Sequence, residues 1–94
     1  MDDSKLIELA AKSIGLTLKY NYLGGQDASQ SWDPLEDDGD AFCLAVKLRI
    51  EFRCSDILGQ ASARMNDFES IVEIDGDEYA AIRRAIVLVA AKIK

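Results

Sequence analysis

Glu36, Asp37, Asp38 and Asp40 place four carboxylates within five residues. Three chemistries are open to such a cluster: oxygen ligation of Mg²⁺ or Ca²⁺, proton transfer between neighbouring carboxyls, and capping of a helix start. The first has a sequence test. If Gly39 were the turn glycine of a calcium-binding helix–loop–helix, counting back would put Pro34 at the first ligand position, where no side-chain oxygen exists. Catalysis lacks its usual companions. The chain has no histidine, which removes the commonest general base, the Ser–His and Cys–His pairs and most transition-metal sites. Gly24-Gly25 is not followed by the Lys-Ser/Thr and helix of a phosphate-cradling loop. The expectation is therefore no catalytic residue, no metal, no cofactor and no enzyme.

Capping needs an element to cap. Pro34 fixes its own φ and pushes Asp33 toward extended backbone, so no helix runs through this point. Asp38 and Asp40, on either side of Gly39, are expected to cap the helix that follows, their carboxylates accepting free N–H groups at its positive end. That helix has Ala41, Leu44, Ala45 and Leu48 on one face and Phe42 and Val46 on a second. Apolar over most of its circumference, it is expected to be the buried central helix. Asp77 is expected to cap the last helix in the same way.

The run Trp32-Asp-Pro-Leu-Glu-Asp-Asp-Gly-Asp-Ala41, continuing to Leu44-Ala-Val-Lys-Leu48, resembles a family of small phage and prophage proteins that includes the NinX-like proteins. The later run Asp77-Glu-Tyr-Ala-Ala-Ile-Arg-Arg-Ala-Ile86 resembles that family's closing helix. The two runs cover roughly a third of the chain. Asp33 stands where the family often has Asn, and Cys43 where it often has a basic residue. The resemblance implies a phage-type accessory protein in a bacterial host cytoplasm. It supplies no reaction and no catalytic residues.

Charge placement narrows the partner. The net charge is −6, and between Lys19 and Lys47 lie six acids (Asp27, Asp33, Glu36, Asp37, Asp38, Asp40) and no base. The remaining 11 acids and 11 bases cancel. Nucleic-acid binding starts from basic patches, so it is not expected; attraction of a basic protein partner is. No apolar run reaches the ~18 residues of a membrane span, and the N-terminal Met-Asp-Asp-Ser-Lys lacks a secretory apolar region, so a cytoplasmic protein without membrane contact is expected. Cys43 and Cys54 form no metal-type spacing and are expected as buried reduced thiols.

The elements that must position these groups fill one domain, residues 1–94. Hydrophobic residues at 49% with one proline argue against disorder. Residues 4–14 read as a helix with an apolar arc of Leu6, Ile7, Leu9, Ala10 and Ile14, ended by Gly15. Leu16 to Leu23 alternates as a strand, and Gly24 to Asp38 is a long connection, a length usually functional or disordered. Strands are expected at 50–54, 61–65 and 69–74, with a turn near Asn66-Asp67, then a helix over 78–93. The fold expected is α+β: three helices on one face of a mainly antiparallel sheet of three to four strands, in the order α-β-α-β-β-β-α.

The last helix carries Tyr79, Ile82, Ile86, Val89 and Ile93 as a stripe, with Val87 and Leu88 off it. Its second apolar face either wedges against another helix or forms a homodimer contact. Two functional readings follow. The first is an accessory protein that binds a host or defence protein through Trp32, Asp33, Leu35, Glu36 and Asp37. Trp32 serves there as loop anchor or interface hot spot. The alternative is a small-ligand, nucleotide-type sequestering protein whose pocket between protomers would draw donors from Arg83 and Arg84, the only clustered basic candidates for it.

Overall fold

The computed structural model describes residues 2–16, 32–55 and 57–93. Three helices, α1 (Asp3–Ser13), α2 (Asp38–Leu48) and α3 (Glu78–Lys92), accompany three strands, β1 (Glu51–Ser55), β2 (Gln60–Met65) and β3 (Phe68–Glu73). The fold is α+β, with the described sheet antiparallel in the order β1-β2-β3. The strand expected at Leu16 to Leu23 lies, beyond Leu16, outside the described residues.

Local chemistry sets the ends of the elements. Asp2 caps α1, its carboxylate accepting the Lys5 N–H at 2.8 Å. The helix closes where Leu16 N–H reaches Ala11 O and Gly15 N–H reaches Lys12 O, with Gly15 at φ +72. That left-handed residue satisfies the last carbonyls, and glycine adopts it without a Cβ clash. α2 ends with the same pair of bonds, Ile50 N–H to Ala45 O and Arg49 N–H to Val46 O, but Arg49 holds the left-handed position at φ 60. Asn66 opens the two-residue turn between β2 and β3, at φ 53, and Met65 pairs with Phe68 across it. This is the expected Asn66-Asp67 turn, at a position where Asn tolerates positive φ.

The register sorts the sheet into two faces. Ala61 and Ala63 of β2 align with Cys54 and Phe52 of β1 and with Val72 and Ser70 of β3. These residues face α3. The opposite face, with Arg53, Ser62 and Ile71 in one row and Glu51, Arg64 and Glu69 in another, is left uncovered by the described helices. β2 packs on α3, and the alanines of both elements (Ala61 and Ala63; Ala81, Ala85 and Ala90) are buried, so little side-chain bulk separates helix and sheet.

α3 packs against all three strands and against both α1 and α2. Ile86, Val87 and Val89 are fully buried, and Leu88 is half-buried against the same core. The second apolar face of this helix is thus the intramolecular wedge, with the sheet on one side and two helices on the other. This corrects the expectation that α2 is the central helix. Leu44 and Ala45 of α2 are buried, but Phe42 is 59% exposed and Val46 54%. Only one side of α2 is buried against α3, and its second apolar face stays largely open to solvent. The cysteines also depart from expectation: Cys43 and Cys54 are both exposed rather than buried. Cys43 sits beside Phe42 on the outer side of α2, and Cys54 lies on β1, every residue of which retains solvent contact. No helix among the described residues is long and apolar enough to cross a membrane.

Close alanine packing predicts a face-specific response. Ala63→Leu forces extra methylenes between β2 and α3 and should cost about 2 kcal/mol. Ser62→Leu, one residue away on the open face, should stay within about 0.5 kcal/mol of wild type. Urea unfolding midpoints compare the two; equal effects would contradict the register.

Candidate acidic loop and the apolar groove beside it

The loop before α2 is folded by its own polar groups. Trp32 is half-buried and packs on the core, Pro34 is fully buried and Leu35 is 9% exposed. Asp33 organises the turn. Its carbonyl accepts Glu36 N–H at 3.1 Å and Asp37 N–H at 2.8 Å, and its Oδ1 accepts Leu35 N–H at 3.1 Å. Its own N–H donates to Asp40 Oδ2 at 2.9 Å. The loop is therefore stapled to the helix it precedes.

The carboxylates divide the work differently from the sequence expectation. Asp37, not Asp38, is the cap of α2: its Oδ1 accepts Gly39 N–H at 2.7 Å and Asp40 N–H at 3.2 Å. Gly39 permits this, because a Cβ there would sit 3.1 Å from that same Oδ1. Asp38 is the first helical residue, and its Oδ1 accepts from Arg83 Nη1 at 2.6 Å. Asp40 holds the Asp33 N–H instead of capping. Asp77 does cap α3, accepting Ala80 N–H at 3.1 Å.

Arg83 is the long-range tie. Its Nε donates to Leu35 O at 2.8 Å while Nη1 reaches Asp38. The side chain is only 13% exposed, against 69% for Asp38. A planar guanidinium holds its donors in a fixed fork, which suits two acceptors placed side by side. Arg84 turns the other way, to Asp3 Oδ1 at 3.1 Å. The two arginines expected to serve a ligand together are thus separated, each bonded within the chain.

Of the residues expected at a binding surface, Leu35 is withdrawn into the core and Asp33 is half-buried in its turn. Both placements have one cause: a loop held this tightly turns its apolar side inward. Glu36, Asp37 and Asp38 remain exposed. No group of three or more acidic, cysteine or histidine residues among the described residues is placed to hold a metal.

Sequence reading missed the neighbouring groove. Phe42 from α2, Phe52 from β1 and Tyr79 and Ile82 from α3 line an open cleft of about 240 Å³, with Asp38 and Arg83 at its rim. The signal was present as apolar residues in excess of one face per helix, but it reads equally as core. Comparison of the chain with family models, with curated proteins and with solved structures finds no match.

Two measurements probe this arrangement. Asp37→Ala removes the cap and should lower stability by about 1 kcal/mol. Asp38→Ala loses only a solvent-facing ion pair and should cost less, about 0–1 kcal/mol. A larger loss for Asp38→Ala would return the cap to that residue. With Asp37, Asp38 and Asp40 each bonded within the chain, millimolar Ca²⁺ or Mg²⁺ should leave the melting temperature unchanged. A bound ion at a hundredfold excess over Kd would add ~2.7 kcal/mol, a shift of many degrees.

Proposed function

We infer that this chain is a phage- or prophage-type accessory protein, not an enzyme, that binds and modulates a host or defence protein through its acidic loop surface. The observation that carries this reading is the exposure of Glu36, Asp37 and Asp38 on a loop fixed by its own hydrogen bonds. A rigid acidic surface attracts a basic partner without an ordering cost on binding. The resemblance of the Trp32–Leu48 run to small phage proteins adds the biological setting. A host-cell cytoplasm belongs to the same reading. The small-ligand alternative draws less support, since the arginines it would use are already bonded to Leu35, Asp38 and Asp3.

Glu36 is the residue to change, because it is exposed and neither caps the helix nor bonds Arg83. A partner captured from infected cells gives the assay. Glu36→Lys should keep wild-type stability but slow association with that partner, more at low salt than at high, because exposed charges act mainly on the encounter rate and are screened. Unchanged association at low salt would remove the loop from the interface.

A further inference from the structure

We propose that the cleft bounded by Phe42, Phe52, Tyr79 and Ile82 is the seat of a basic amphipathic helix of the partner, so that the acidic loop steers and the groove holds. This rests on the preceding reading and gives its partner a chemical form.

Three large apolar side chains from three different elements converge here while remaining exposed: Phe42 at 59%, Phe52 at 43% and Tyr79 at 64%. Isolated exposed apolar residues need no explanation, but a contiguous patch with a polar rim marks an interaction site. The cleft volume of about 240 Å³ falls below the ~300–1,000 Å³ typical of small-molecule pockets. It suits inserted side chains rather than a nucleotide.

The lining decides the occupant's conformation. Two of the three walls are helices, whose backbone groups at Phe42, Ile82 and Ile86 are engaged within the helix. An extended peptide laid along those walls would find no backbone partners, whereas a helix satisfies its own and offers apolar side chains at i, i+3/i+4 and i+7.

Charge decides its sign. Asp38 lies on the rim, with Asp37 and Glu36 just before it on the chain. On the other wall Tyr79 follows Glu78, Asp77 and Asp75, all exposed. Arg83 is the one base in the lining, and Asp38 already pairs with it. A second copy of this chain would bring these acids face to face, and an acidic helix would be repelled; a helix with Lys and Arg flanking its apolar stripe is complementary.

The probe is a designed peptide of about five helical turns, ~18 residues at 3.6 per turn, with leucines on one face and lysines elsewhere. Its counterpart replaces every lysine with glutamate. Binding is read by fluorescence anisotropy, and location by amide chemical shifts of the protein. The lysine peptide should bind and shift Phe42, Phe52 and Tyr79, and the glutamate peptide should not bind. Phe42→Ser and Tyr79→Ser, both at exposed positions, should each weaken binding by about tenfold or more, the scale of an aromatic hot spot. Ile71→Ser, on the uncovered sheet face, should leave it unchanged. Binding unaffected by Phe42→Ser and Tyr79→Ser would overturn the groove. If Glu36→Lys still slowed association with the captured partner, the acidic-loop reading would survive that failure. Equal loss with Ile71→Ser would move the peptide to the sheet and overturn the proposal. Self-association of the wild type that Phe42→Ser abolishes would do so too, by giving the groove to a second copy.

Discussion

The fold depends on one helix being apolar over most of its circumference. α3 separates the sheet from α1 and α2, and each of the other five described elements packs against it. No single stripe could do this. Its buried residues, Ala81, Ala85, Ile86, Val87, Val89 and Ala90, advance around roughly two-thirds of the circumference at about 100° per residue. Alanine is what makes the arrangement fit, because it favours the helix while leaving room for a close neighbour. A hydrophobic core in so short a chain has to be shared in this way, since few residues are available to build separate interfaces.

The acidic loop is attached to this helix by Arg83. A guanidinium 13% exposed is tolerable only if its donors are satisfied, and Leu35 O and Asp38 provide that. The arrangement couples two needs. The Leu35 carbonyl, drawn inward with its side chain, requires a donor, and the buried Arg83 stem requires a counter-charge at its tip. One residue from α3 meets both and fixes the start of α2 relative to the core. Asp38 is thereby recruited away from the helix backbone, and capping falls to Asp37.

This explains which features were legible in the sequence. α1, the two hairpin strands, the Asn66-Asp67 turn and the Asp77 cap rest on local patterns, and local patterns are visible in a single chain. The cap of α2 is not local. Asp37, Asp38 and Asp40 have the same intrinsic preference around Gly39, but Asp38 is engaged by an arginine more than forty residues away and Asp40 by the Asp33 N–H. The end of α2 is hidden for a related reason: the left-handed closing position, most often glycine, is held by Arg49 at φ 60. The largest error concerned α2 itself. Phe42 and Val46 give a helix apolar on two faces, and that pattern is the same whether the second face meets a core or a partner. Only the count of neighbours separates the two, and neighbours are a tertiary property. The exposed thiols of Cys43 and Cys54 follow from the same ambiguity.

That ambiguity bears on how the proposed interface divides its energy. The acids between Asp33 and Asp40 are the most conspicuous feature of the sequence, yet exposed ion pairs contribute only about 0–1 kcal/mol each. Their field also fades over a Debye length of about 8 Å at physiological salt. They can raise the encounter rate, but they cannot by themselves hold a partner for long. Apolar area can, at roughly 25 cal/mol per Å² removed from water, and the nearest exposed apolar area is the cleft between Phe42 and Tyr79. Asp38 stands at the edge of both surfaces, one oxygen committed to Arg83 and the residue still largely open to solvent. A partner drawn in by charge would therefore arrive at the lip of the groove. In this arrangement the loop without the groove gives fast but short-lived encounters, and the groove without the loop gives slow but lasting ones.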